Sequence, residues 1–217
     1  MGTYNRFTPR FLRNVSVKGQ SQLVTAVLLT GIMIVLVSGA YFWGIPLIEK
    51  QKDTVALNNM ERFMDDLDDK IQRVAASGGR ERIDGVNIPG DLKLADNGLN
   101  DEVTVTFSTR GQIIATDADI YISGDNRTVV PITTEAGAIK AFSEELDGEF
   151  SITMSLRYRE VVAGETSNLI NLKTGGRNLV SGGTHDVIIT HDGVETIRGG
   201  GADGKDLNVV NIVLRFE

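Results

Sequence analysis

The fold is decided by residues 16–53, which read SVKGQSQLVTAVLLTGIMIVLVSGAYFWGIPLIEKQKD. The run from Leu23 to Ile48 holds 26 consecutive uncharged residues, and charged side chains follow directly from Glu49. About 20 apolar residues in a helix suffice to cross a bilayer core of roughly 30 Å. A helix in the core of a soluble domain would show a polar face, and this run has none. The sequence therefore predicts a helix that enters a membrane.

The charges that flank the run predict its orientation. Residues 1–19 carry four basic residues and no acid; these are Arg6, Arg10, Arg13 and Lys18. The excess of positive charge places this leader in the cytoplasm and the rest of the chain outside. Tyr41, Phe42 and Trp43 lie at the far end of the run, where aromatic rings favour the membrane interface.

An ordinary secretory signal does not explain this pattern. Such a signal has an apolar region of about 7–15 residues followed by a small-residue cleavage site. Here the run is longer, aromatic residues follow it, and the small residue, Gly19, lies in front of it. A cut after Gly19 would remove the basic leader and leave the apolar helix as the new N-terminus.

The stretch from Lys18 to Leu23 (KGQSQL), set between a basic leader and a long apolar segment, resembles the class III signal peptide of archaeal type IV pilins and archaellins. The resemblance covers roughly residues 10–50. It implies that a membrane prepilin peptidase recognises Lys18, Gly19 and Gln20 and cuts between Gly19 and Gln20. Many members of that family carry Glu at the fifth mature position, where this chain has Val24.

The resemblance further implies that the freed helix packs into the core of a helical filament of identical subunits. The residues expected to line that core are Leu23, Val27, Leu28, Gly31, Ile34, Val35 and Gly39. The two glycines among them allow neighbouring backbones to approach closely.

A second helical pattern follows the apolar run. Leu57, Met60, Met64, Leu67, Ile71 and Val74 recur at intervals of three and four, and acidic residues fill the positions between them. This stripe is expected to pack against the protein's own β domain, and contact with neighbouring subunits through another face is left open. Pro46 predicts a kink or break near residues 42–46, since proline removes a backbone hydrogen bond.

From about residue 80 the chain has the alternation and turn signals of short strands. Predicted strands cover residues 103–107, 112–115, 120–122, 129–132, 150–158, 169–172, 186–190 and 210–216, with helical turns at 135–142 and turns at 123–126, 173–176 and 192–193. The prediction is an α+β protein, with a long N-terminal hydrophobic helix and an antiparallel sandwich or barrel-like β domain. We expect a leader over 1–19, a membrane or filament-core helix over 20–48, its amphipathic continuation over 49–79, and the β domain over 80–217.

The sequence favours no catalytic, metal or cofactor site. The chain has two His and no Cys, and the pair His185 and His191 sits beside an expected turn that would separate them. Asn126 begins the glycosylation sequon Asn126-Arg127-Thr128 next to a turn and is a candidate for sugar attachment.

Charge excludes a nucleic-acid binder. Outside the leader the chain holds 18 basic and 29 acidic residues, and phosphate binding needs a positive surface. The expected function is a non-enzymatic subunit of an archaeal type IV pilus-like surface filament, held in the membrane before assembly, for adhesion or motility. Two alternatives remain: a minor pilin that primes or caps assembly, and a single-pass anchored extracellular binding domain that does not polymerise.

Overall fold

The computed structural model describes residues 17–95, 98–99 and 101–217, and for residues 17–20 it describes the backbone alone. The chain divides into two compact units, Met1–Ile48 and Glu49–Glu217. The elements are α1 (Val17–Ser77), β1 (Arg80–Ala95), β2 (Glu102–Thr109), β3 (Ile120–Ser123), β4 (Val129–Pro131), β5 (Gly137–Leu146), β6 (Glu149–Tyr158), β7 (Glu160–Ala163), β8 (Thr166–Thr174), β9 (Leu179–Ile197) and β10 (Asp206–Phe216).

The second unit contains one ten-stranded sheet in the order β3-β5-β6-β2-β1-β9-β10-β8-β7-β4. Most neighbouring strands are antiparallel, while β8 with β10 and β4 with β7 are parallel. The sheet forms a half-barrel rather than the two facing sheets of a sandwich. The predicted α+β class is confirmed, and of the two β architectures that the sequence left open the barrel-like one is right.

The short connection between β3 and β4 forces the sheet to curl. Strands β3 and β4 are the two edges of the sheet, yet only Gly124 to Thr128 separate them in sequence. A flat ten-stranded sheet would place its edges about 43 Å apart, at about 4.8 Å per spacing. The connecting residues reach about 21 Å when fully extended. A sheet with this connectivity cannot be flat.

The apolar stripe of α1 lies in the core of this unit. Leu57, Met60, Phe63, Met64, Leu67, Ile71 and Val74 are all buried and belong to one cluster with side chains from the sheet. On the sheet side, alternate residues of β2 and β6 are buried, as a strand with one covered face requires. The prediction that this stripe packs against the protein's own β domain is confirmed.

Most predicted strands lie within observed ones, but three local predictions are wrong. Residues 112–115 form no strand, and residues 137–142 belong to β5 instead of a helical turn. Helix-forming Ala and Lys in that segment are overridden because β5 pairs with β6 along its whole length. The β5–β6 hairpin turns at Asp147 and Gly148, whose φ angles are 53° and 83°, as a tight two-residue turn requires.

The third correction concerns Asp192-Gly193, predicted as a turn. Both residues lie inside β9, where they stand opposite the single residue Asn211 of β10. This is a β-bulge, and Gly193 supplies the positive φ of 99°. The Asp-Gly pair was read as a turn because glycine supplies the positive φ of many turns, but glycine is equally common in β-bulges.

A buried carboxyl group links α1 to the sheet. Tyr158 Oη donates a hydrogen bond to Asp68 Oδ1 at 2.7 Å, and Gln72 Nε2 donates to the same oxygen at 3.0 Å. Gly137 lies so close that a Cβ there would fall 2.4 Å from the Asp68 carboxylate oxygens. Burial is the main cause that raises the pKa of Asp68, and it also raises the pKa of Tyr158.

We expect Asp68 to make the free energy of unfolding depend on pH. Because its pKa is raised in the fold, its contribution is largest below the ordinary carboxyl pKa and is lost as the pH rises through the folded value. Asp68→Asn keeps the shape and cannot ionise. In unfolding experiments from pH 4 to 8 in detergent, the wild type should lose stability relative to Asp68→Asn as the pH rises. A constant difference, or one of opposite sign, would contradict this assignment.

Arg159 occupies the single position between β6 and β7, where the chain passes from one side of the sheet order to the other. Its side chain is 1% exposed. The guanidinium donates to the backbone oxygens of Glu135 (2.5 Å) and Gly137 (3.0 Å) and to Asp125 Oδ1 (3.0 Å). Asp125 lies in the β3–β4 connection, Glu135 lies in the β4–β5 connection and Gly137 begins β5, so one side chain holds the corner at which the half-barrel folds back.

The carboxyl group of Asp125 completes this corner. Hydrogen bonds from the Arg127 side chain, and then from the Arg127 backbone N–H, lower the pKa of Asp125 to about 2, with a further contribution from Arg159. Asp125 therefore stays ionised opposite Arg159 in all but strong acid.

Replacing Arg159 should weaken the second unit severely. Arg159→Ala removes the side-chain donor to the backbone oxygens of Glu135 and Gly137, while Asp125 keeps its hydrogen bonds from Arg127. Each buried acceptor left without a donor costs about 1–3 kcal/mol. Arg127→Ala is the matched control, since Arg127 meets the same carboxylate from an exposed position. Thermal unfolding of the two variants should separate them clearly. Equal, small shifts would mean that Arg159 does not hold the corner.

Candidate functional site: the apolar segment of α1

The first half of α1 exposes an unusual amount of apolar surface. Between Leu23 and Ile48, 17 large apolar side chains are exposed, with Leu23 at 69%, Val35 at 70% and Trp43 at 84%. Burying one such side chain is worth about 1.5–3 kcal/mol, so the set represents on the order of 25–50 kcal/mol. That exceeds the usual net stability of a domain, about 5–15 kcal/mol. This segment requires an apolar environment that the described residues of the chain do not supply.

The helix is long and apolar enough to cross a membrane, and no part of its most apolar 18-residue stretch is buried. Its hydroxyl groups are satisfied locally. Thr25 Oγ1 donates to the Ser21 carbonyl at 2.8 Å, and Thr30 Oγ1 donates to the Ala26 carbonyl at 2.8 Å. Such bonds to the preceding turn let Thr reside in hydrocarbon without an unpaired donor.

A groove on this helix coincides with part of the predicted filament-core set. It has a volume of about 420 Å³ and is lined by Val27, Leu28, Gly31, Ile32, Val35 and Leu36. The missing side chain of Gly31 forms its floor, and a Cβ there would meet no atom within 4 Å. The structure thus brings four predicted residues to one groove.

The remaining predicted core residues lie elsewhere on α1. Leu23, Ile34 and Gly39 share the helix but do not line the groove, whereas Ile32 and Leu36 line it and were not predicted. Their signal was present in the sequence, because Leu28, Ile32 and Leu36 recur at intervals of four and therefore lie along one side of the helix.

The helix assignment continues through Pro46, so the backbone is not interrupted there. The predicted kink at that residue stays a prediction. At the other end, Lys18, Gly19 and Gln20 lie in the first turn of α1, and their side chains, like all of residues 1–16, are outside the described part of the chain.

The candidate sites in the second unit are spread apart. Asn126 is exposed in the connection between β3 and β4. His185 and His191 both lie in β9; His185 Nε2 lies 3.1 Å from the Gly182 carbonyl, and His191 Nδ1 accepts from the Gly193 N–H. Within the described residues, no three His, Asp or Glu side chains converge on a point that a metal ion would occupy.

Comparison with protein families decides one question of identity. Residues 18–149, more than half of the chain, match a family described as a family of unknown function, DUF7289. The chain belongs to this family. The matched range begins at Lys18 and takes in all of α1 beyond it together with β1 to β5, so the apolar segment and the first half of the sheet are both part of what defines the family. No curated protein and no solved structure matches the chain.

The distribution of exposed apolar surface predicts how the chain responds to truncation. A chain beginning at Glu49 keeps every buried residue of the stripe from Leu57 onward and loses all 17 exposed side chains. It should remain soluble without detergent and unfold cooperatively, while the full chain should partition into a detergent phase. Aggregation of the shortened chain in plain buffer would contradict this division.

Proposed function

We propose that this protein is a structural subunit of a type IV pilus-like surface filament. The observation that carries the proposal is that one helix contains an exposed apolar segment followed by a segment whose apolar stripe is buried. Residues 23–48 expose their apolar side chains all round, and the stripe from Leu57 to Val74 is fully buried within the second unit. The exposed segment needs an apolar environment, and the buried stripe is part of the hydrophobic core of the β domain.

A bundle of identical helices supplies such a shelter. Lipid and a helix bundle are both apolar, so the segment moves from membrane to bundle with almost no solvent penalty. The groove at Gly31 supports this proposal, because small residues let helix backbones approach closely where no hydrophobic drive exists between helices in lipid. The same segment then serves as membrane anchor before assembly and as filament core afterwards.

The proposed precursor is cut between Gly19 and Gln20 by a prepilin peptidase on the cytoplasmic side. The family match begins at Lys18, two residues before the proposed mature N-terminus, and leaves out the first 17 residues of the leader. The β domain would face outward on the cell surface and make the contacts of adhesion or motility. The function is structural, and neither an enzymatic step nor a nucleic-acid partner enters it.

A single-pass anchor that carries the same β domain without polymerising is the competing function. It uses the same exposed apolar helix, which fits lipid as well as a bundle. The two functions differ in what happens to the leader and in whether copies associate.

The mature N-terminus tests the proposal. Mass spectrometry of the native protein should find Gln20 as the first residue, and electron microscopy of sheared surface material should find filaments that contain it. Gly19→Leu should block both cleavage and filament formation, because a bulky side chain at the cut site excludes the peptidase. Ser16→Leu is the control and should change neither. A mature protein that retains Met1–Gly19 and stays monomeric in detergent would leave the anchor as the function.

A further inference from the structure

A cavity of about 450 Å³ lies at the corner where the half-barrel folds back. The described residues that line it come from the start of β2, the β6–β7 corner, β8, β10 and the connections β3–β4 and β9–β10. Its volume falls within the range of small-molecule binding sites, about 300–1,000 Å³. Because these segments are far apart in sequence, the cavity exists only in the folded β domain.

Arg157 lines this cavity as a charge without a counterion. Among the described residues, four buried side-chain polar atoms lack a hydrogen-bond partner, and Arg157 Nε is the only one that belongs to a charged group. Arg157 Nη2 lies 3.5 Å from the backbone oxygen of Asp125, which is longer than the usual hydrogen bond of about 2.7–3.2 Å. Arg159 lines the same cavity, but its guanidinium is engaged by the three partners described above. A half-enclosed cation that lacks a partner indicates an anionic group in the cavity.

Glu102 supplies the opposite charge. It stands directly opposite Arg157 in the pairing of β2 with β6 and lines the same cavity. Within the described part of the chain, neither of these two side chains has an ion-pair partner within 4 Å. The other acids of the lining are engaged within the chain: Asp101 is buried and has a partner, and Glu160 accepts a hydrogen bond from the Ala202 N–H at 2.6 Å. The cavity therefore offers one cation and one carboxylate side by side.

The rest of the wall includes a set of aliphatic side chains, which are Leu99, Val129, Leu169 and Leu207. Leu99 is 40% exposed and Val129 is 39% exposed, although both line the cavity. A ligand that covers them removes apolar surface from water, which is favourable by about 25 cal/mol per Å². The cavity thus combines two opposite charges with an apolar wall.

We propose that this cavity binds a free apolar α-amino acid, with its carboxylate on Arg157, its ammonium group on Glu102 and its side chain against the aliphatic wall. A guanidinium is the group best suited to a carboxylate, because it donates two parallel hydrogen bonds. A ligand with a carboxylate alone would face the charge of Glu102, and an amine alone would leave Arg157 without a counterion. An α-amino acid carries both charges on one carbon, which fits a cation and a carboxylate that are direct neighbours across two strands. The inference is independent of the filament, since the cavity lies within the second unit.

Isothermal titration calorimetry of the full chain in detergent tests the site with L-leucine and with two analogues that each lack one charge. Leucine should bind, whereas isocaproate, which lacks the ammonium group, and isopentylamine, which lacks the carboxylate, should each bind at least tenfold more weakly. Absence of leucine binding would overturn the site. Equal affinities for leucine and isocaproate would overturn its assignment to an amino acid.

Substitutions test the two charges separately. Arg157→Met keeps a long side chain without its charge and should weaken leucine binding at least tenfold. Arg80→Met removes an exposed arginine at the start of β1, outside the cavity lining, and is the control that should leave binding unchanged. Glu102→Gln should bring leucine and isocaproate to similar affinities, because the ammonium group then loses its partner. Thermal unfolding checks that each variant is folded, and unchanged leucine binding in folded Arg157→Met or Glu102→Gln would overturn the proposal.

Discussion

The structure depends on the burial of one helix stripe beneath one sheet. The side chains from Leu57 to Val74 form the centre of the hydrophobic cluster to which strands on both sides of the sheet contribute. Without the helix, the sheet would have no apolar body to curve around, and without the sheet the helix would expose a second apolar surface. The same helix carries the exposed segment, so whatever takes hold of residues 23–48 also holds the β domain.

The sheet reaches this arrangement through its connections. A single residue joins β6 to β7 although the two strands stand near opposite ends of the strand order. Such a link is possible only where the sheet turns back on itself, and Arg159 donates hydrogen bonds to the backbone oxygens of Glu135 and Gly137 at this corner. The hydrogen bond from Tyr158 to Asp68 links the helix to the sheet in the same way. Both are buried polar groups whose partners come from segments far apart in sequence, and this makes them specific to one chain path.

Sequence patterns predicted the parts of the fold that depend on nearby residues. The apolar run, the heptad stripe and seven of the strands follow from periodicity, which is a local property. Two of the three failures were local signals overruled by distant partners. The segment at 137–142 has helical composition but pairs with β6, and Asp192-Gly193 has the composition of a turn but sits opposite Asn211 as a bulge. Of the candidate filament-core residues, those around Gly31 could be predicted because a missing side chain leaves a gap at known helical spacing.

The sequence by itself determined that an uncharged run too long for a secretory signal precedes an amphipathic helix and an acidic, strand-rich domain. It did so because the free energy gained by removing apolar side chains from water is roughly proportional to the apolar area removed, and that area can be read from the residues themselves. Only the tertiary structure decided which charged side chains are buried or paired within the molecule and which remain exposed to solvent. Asp66, Asp68 and Asp69 look alike in sequence. In the described part of the chain, however, Asp68 is buried, Asp66 pairs with Lys70, and Asp69 is exposed without an ion pair, because the half-barrel covers only one side of their helix.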